Sequence, residues 1–287
     1  MTTLTAATPG ASGMLGPAGA RRASLPTGRY DLFGLMRSEW TKLRTVRSTV
    51  WTLGITMVVG IGVSALATAE TRAHWSTMPL PTRLSFDPTQ LSLIPLFFCQ
   101  LAIGVLGVLV MSAEYGTGTV RATFAAAPHR SKVLLAKITV FGTVALVVSE
   151  TTAFLSFLVG QAMLTAPARH ATLATPSTLR AVVCTGLYLC VVSLFALGLA
   201  TILRHTAGAV SAYVGVLLVL PVLVQPLPHS LQEDVVRFLP SRIGVELMTP
   251  TAAPPDAFSV WVGFLVLCVY AVVALGAGAM LLRARDV

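Results

Sequence analysis

Six long stretches of this chain, at about 49–69, 91–113, 134–158, 181–203, 207–225 and 258–282, are apolar at nearly every position. Each has roughly the 20 residues a helix needs to cross a hydrocarbon layer about 30 Å thick. Four of them contain no Pro, and only the third carries charged side chains, Lys137 and Glu150. A helix in water keeps a polar stripe, whereas these are apolar all round. The pattern predicts an all-α fold: a polytopic integral membrane protein with six transmembrane helices.

The polar positions between these runs carry the remaining structure. In residues 30–47, YDLFGLMRSEWTKLRTVR, a helical projection gathers Phe33, Met36, Trp40 and Leu43 on one arc and Arg37, Thr41, Arg44 and Lys42 on the other. Basic residues opposite Trp and Phe describe an amphipathic helix lying in the membrane interface. It is expected to turn into the first span near Ser48. Glu39 interrupts its apolar arc. A carboxylate there is costly unless paired, either locally with Lys42 or Arg47 or with the basic loop at 121–137. In the loop between the second and third spans, MSAEYGTGTVRATFAAAPHRSKVLLAK, Gly116 and Gly118 permit a break after the second span. Thr119 is placed to cap a short helix over about 120–127, and Pro128 to end it. The last long loop, 226–257, holds six prolines and an apolar-periodic stretch through Leu231, Val235, Phe238 and Leu239. It predicts short re-entrant or surface helices packed against protein.

Charge then orients the spans. The net charge is +9. With the N-terminus inside, 14 of the 20 Lys and Arg fall on cytoplasmic segments and 6 outside. Discounting the distant Arg21 and Arg22 leaves 12 against 6. The excess predicts a cytoplasmic N-terminus and C-terminus. It also assigns the basic character to topology and anionic lipid, with no nucleic acid among the partners. Residues 1–28, rich in Ala, Gly, Thr and Pro, read as a disordered cytoplasmic tail. Residues 29–287 form one six-span domain.

Candidate chemistry is sparse. The chain is 55% hydrophobic and 11% charged, and no stretch outside the spans is long enough for a large soluble domain. No G-x-x-x-x-G-K-[ST] loop is present, so ATP is not hydrolysed here by that device. The four cysteines all fall in spans without metal-ligand spacing, and no cofactor or metal is expected. Glu150, near the middle of the third run, must face the bundle interior, a partner or water. It is either an intramembrane path residue or a structural hydrogen-bonding group. Gln100, Gln161 and Gln225 read as polar packing residues near span ends, and Pro221 as a kink in the fifth span.

Three features together resemble the membrane-spanning permease subunits of ATP-binding-cassette (ABC) transporters, of the type-2 exporter class. They are the entry segment RSEWTKLRTVRSTVWTL (37–53), the segment EYGTGTVRATFAAAPHRSKVLLAK (114–137), and the six-span plan with a long external loop before the last span. The second segment matches the family's order of an acidic residue, a Gly-Thr step, a Pro followed by a basic residue, then Lys, here Glu114, Gly118-Thr119, Pro128, Arg130 and Lys137. The resemblance implies a permease without enzymatic activity, residing in the cell membrane and served by a separate ABC ATP-binding subunit. It also implies a second permease copy or paralogue, and export of a small molecule, drug or antibiotic, or lipid-like substrate. By position, residues 30–47 and 115–131 would form the ATPase-coupling surface, with Glu39, Glu114 and Arg130 as connecting charges. The rivals are an ion-coupled secondary transporter using Glu150, which predicts internal repeats that the chain does not display, and an intramembrane enzyme. The enzyme lacks a catalytic companion for Glu150 within a span.

Overall fold

The computed structural model describes residues 32–116, 130–166, 168–251 and 257–284. Among them there are helices and connecting turns but no strand. Helix α1 (Leu32–Thr45) ends at Val46, whose extended backbone (φ −76°, ψ 104°) turns the chain into α2 (Arg47–Ala73). A 3₁₀ turn (Trp75–Thr77) and α3 (Leu80–Leu84) lead to α4 (Pro88–Leu93) and α5 (Leu96–Gly116). Then come α6 (Arg130–Met163), α7 (Pro176–Leu203) and α8 (Thr206–Val214). A π-helical turn (Gly215–Val219) joins α8 to α9 (Leu220–Val224). Two short helices, α10 (His229–Val236) and α11 (Pro240–Met248), precede the last long helix, α12 (Val260–Ala284). Six segments among the described residues are long and apolar enough to cross a membrane.

Two of those six are interrupted, each at a proline. The second apolar run is not one helix. Asp87 caps α4 by accepting from the amides of Thr89 (2.9 Å) and Gln90 (3.1 Å), with Pro88 at the first helical position. The chain breaks at Ile94–Pro95 and resumes as α5. Pro95 has no amide hydrogen to continue the ladder, and its ring disfavours helical geometry at Ile94. In the fifth span, the ring of Pro221 and its missing donor are accommodated by the wider π turn immediately before it.

The first span shows how the bundle inverts a soluble fold. Its buried residues are Thr49, Thr56, Gly60, Ser64 and Thr68, spaced to share one face, while Val50, Trp51, Ile55, Val58 and Leu66 point outward. Apolar side chains gain nothing by leaving lipid, so small and polar groups take the interior, where they allow close approach and hydrogen bonding. The Ser64 hydroxyl lies 2.8 Å from Ser92 O and 3.0 Å from Ser156 O, joining α2 to α4 and α6. Helix α7 occupies the centre, buried along most of its length and packed against α5, α6 and α12. Its crossing with α12 depends on small residues, since a Cβ at Gly198 would lie 2.8 Å from Ala274 Cβ and one at Gly278 2.8 Å from Thr201 Cβ. Within this core, Tyr188 donates its hydroxyl to Gln100 Oε1, and Tyr213 donates to Gln100 O (2.7 Å). Gln100 is thus fully buried in the shared core of α5, α7 and α8.

Hydrogen bonds between chain-distant residues identify which helix ends lie together. Arg204, in the left-handed region at φ 54°, ends α7 and donates to Leu281 O (3.0 Å) near the end of α12, with its guanidinium 5.8 Å from the Tyr115 ring of α5. At the opposite end, Gln161 donates to Pro88 O (2.9 Å), and Arg180 donates to Thr249 O (3.0 Å) and Pro250 O (3.1 Å). Helix α1 and the 204–205 connection therefore belong to one end. Helices α3, α4, α10 and α11 belong to the other.

Candidate functional site

Helix α1 has one buried residue, and it is Glu39. Its side chain points inward from the apolar face, where a lone carboxylate would lose its hydration without return. Two ammonium groups meet it. Lys137, in the second turn of α6, donates to Glu39 Oε2 at 2.7 Å, and Lys42, one turn along α1, donates to Oε1 at 2.6 Å. The same Lys137 Nζ donates to Val110 O of α5 at 3.2 Å. The Glu39 and Lys137 side chains are 7% and 4% exposed, whereas Lys42 is 42% exposed. One cation is therefore internal and fixed, and the other reaches water. The result is a charged tie between the amphipathic helix, the head of α6 and the last turns of α5. Of the two kinds of partner open to Glu39 from the sequence, the structure uses both.

A cavity of about 290 Å³ lies beside the tie. Leu43 of α1, Val46 between α1 and α2, Thr49 of α2, and Leu106, Leu109 and Val110 of α5 line it together with the three charged groups. Helix α1 thus meets the bundle through this ion cluster and through Leu43, which packs against the core.

The remaining candidate residues are distributed unevenly. Glu114 lies in the last turn of α5, and Arg130 is the first residue of α6, so the chain positions both at the end that carries α1. Gly118, Thr119 and Pro128, with the expected helix at 120–127, lie outside the described residues, as does the tail at 1–28. Glu150 is not brought to the cluster. It lies 13 residues beyond Lys137 on α6, about 20 Å away along the axis. There it is half-buried, and its carboxylate is seated against the backbone of α7 at Gly186. A Cβ at 186 would fall 2.6 and 2.7 Å from its two oxygens. Its Oε2 has no hydrogen-bond partner.

Sequence reasoning did not find Gly186, because the need for a missing side chain arises only from what another helix places there. It also missed the carbonyl of Val110 as a third partner of the tie. No composition signal marks a backbone acceptor. Among the described residues no group of three His, Cys, Asp or Glu is placed to hold a metal ion, and the four cysteines are unbridged.

No curated protein matches this chain. The model of one protein family, described as ABC-2 family transporter protein, matches residues 35–222. That match begins within α1, contains Glu39, Glu114, Gly118, Thr119, Pro128, Arg130, Lys137 and Glu150, and ends inside α9. It covers well over half of the 287 residues, so the chain belongs to the ABC-2 transporter family, as a multi-pass membrane permease subunit of the kind that works with an ABC ATP-binding subunit.

Proposed function

We propose that this chain forms the membrane half of an exporter in the cell membrane, with both termini cytoplasmic. A separate ATP-binding subunit would drive it, and a second copy or paralogue would complete the path. Its substrate class is a small molecule, drug or antibiotic, or lipid-like compound. Helix α1 and the segment 115–131 present the surface on which the ATPase acts, with Glu114 and Arg130 at its edges and Gly118, Thr119 and Pro128 shaping it. The single observation that carries this reading is the buried Glu39–Lys137 pair. It fastens the interfacial helix to the head of α6, so a push on either element moves both. Closure of the ATPase would then tilt α6 and, through it, α7. Substrate affinity must differ between the two resulting states for ATP to perform work.

The test is co-expression with an ABC ATP-binding subunit encoded beside this chain, followed by co-purification and reconstituted transport. Association together with loss of transport on deleting residues 117–128 is the expected result. Absence of association, with transport intact after the deletion, overturns the reading.

The second reading, ion-coupled transport through Glu150, has one observation in its favour: the half-buried carboxylate has an oxygen without a hydrogen-bond partner. It requires transport that survives ATP depletion and collapses with an uncoupler.

A further inference from the structure

The fifth span becomes more exposed partway along its length, although Leu217 and Val224 stay buried. Before the π turn, Ala209 and Tyr213 of α8 are fully buried. Beyond it, Leu220, Val222 and Leu223 are exposed and Val224 is buried. A groove of about 660 Å³ lies between α7, α9 and α12, well within the range of about 300–1,000 Å³ typical of small-molecule sites. Leu199 and Ile202 of α7, Leu220 of α9, and Val273 and Ala277 of α12 line it with hydrocarbon.

The head of the groove is closed by the turn between α10 and α11. Phe238 in that turn lines the groove, and its carbonyl accepts from the Tyr270 hydroxyl at 2.9 Å. Arg237 stands at this head. Its guanidinium lies 5.3 Å from the Phe238 ring centroid and 5.8 Å from that of Phe258, which precedes the first residue of α12. The guanidinium is therefore level with the end of the span, where headgroups lie. Arg237 and Arg242 both line a separate small recess beside this head, together with Glu246 and Phe258. Arg237 is ion-paired to Asp234 at 2.9 Å, but Asp234 is 68% exposed, and its buried Nε has no hydrogen-bond partner. Arg242 is bridged to Glu246 at 3.0 Å. The Arg237–Asp234 pair, at an exposed surface, is weak and readily exchanged, whereas Glu246 is 13% exposed and holds Arg242 more firmly. A phosphate accepts from guanidinium groups through two or more charge-assisted bonds.

We propose that this groove holds one acyl chain of an anionic membrane phospholipid whose phosphate is bound by Arg237 and Arg242. The length of the slot agrees with that occupant. The α12 wall from Val269 to Ala277 is about 12 Å long at the helical rise, close to the roughly 15 Å of hydrocarbon in one leaflet. A cationic head at the span end and an apolar slot running inward from it match a phospholipid standing in that leaflet. Apolar protein surface alone would need no cations at one end.

The experiment uses the full chain with a photoreactive amino acid at Leu199, in nanodiscs of phosphatidylcholine with a minority of phosphatidylglycerol. The same reagent at Val58, an exposed position on α2, reports the surrounding bulk lipid. Adducts are identified by mass spectrometry after illumination. The expected result is a phospholipid adduct at 199 in which phosphatidylglycerol is enriched several-fold over the adduct at 58. The enrichment should be lost in R237Q/R242Q, with the adduct at 58 unchanged. An adduct at 199 of bulk composition overturns the proposal, as does one linking two copies of this chain. Enrichment that persists in R237Q/R242Q overturns the role of the two arginines. Should that variant misfold, the comparison of positions 199 and 58 in otherwise unaltered protein still decides.

Discussion

Replacing Lys137 by Met tests whether the charged tie is what holds α1 to the bundle. At 2.7 Å and an effective dielectric constant near 20, the attraction between Glu39 and Lys137 is about 6 kcal/mol. Much of that is offset by the hydration both groups have given up. Removing one partner of a buried pair costs about 3–5 kcal/mol, because the other charge remains. Lys42 still holds Glu39 Oε1 at 2.6 Å, so K137M is expected at the lower end, about 3 kcal/mol. E39M/K137M removes the buried carboxylate together with its internal cation, and Lys42, already half-exposed, turns to water at small cost. The double variant should therefore be less destabilised than the two single costs added together, by at least about 1 kcal/mol. The assay is reversible unfolding in mixed micelles for the parent, K137M, E39M and the double variant. The same four proteins are assayed for ATP hydrolysis coupled to transport. Costs that add to within about 0.5 kcal/mol would refute the tie as an interaction. Coupled transport in the double variant equal to that of the parent would refute its role in transmission.

Three further outcomes follow from packing inside the bundle. G186A places a methyl 2.6–2.7 Å from the Glu150 oxygens. It should destabilise by about 1–3 kcal/mol as an overpacked contact, with relief in G186A/E150A but not in G186A/E150Q, read by thermal unfolding. G198A drives a methyl to 2.8 Å from Ala274 Cβ and 2.9 Å from the α12 backbone, so the yield of monodisperse protein should fall, as size-exclusion chromatography would show. Q100L removes the acceptor of the Tyr188 hydroxyl and should cost about 1–3 kcal/mol for an unsatisfied buried donor, whereas the double variant Q100L/Y188F should recover part of it. E150Q discriminates between the two transport readings: retained ATP-driven transport supports the ABC mechanism, and abolished transport that tracks the ion gradient supports coupling through Glu150.

The crossing segments and the interfacial helix were legible in the residue pattern, because each rests on a local property. An apolar run of about 20 residues has few other uses, and a two-faced run of 14 residues such as α1 has its faces set by the helical period alone. The break inside the second apolar stretch was less legible, although Pro95 stood in plain view. Hydropathy averages across a proline that backbone hydrogen bonding cannot ignore. The turn at Pro221 was readable as a disruption, but hydropathy does not show that the helix absorbs it as a π turn at Gly215–Val219.

By itself, the sequence determined that six helices cross a membrane, that Glu39 needs a cation, and that Glu150 needs shelter. Each of these is an energetic requirement that one side chain or one run imposes wherever it sits. Only the tertiary structure decided how the requirements are met. It brings Lys137 of α6 to Glu39 across 98 residues of chain, seats Glu150 against the bare backbone of Gly186, and opens an apolar groove lined by three helices. The physical reason is that a charge or a cavity specifies the kind of neighbour it needs and not its identity. Identity depends on which helices share a face, and in this bundle that is fixed by small residues such as Gly198 and Gly278 that let backbones approach.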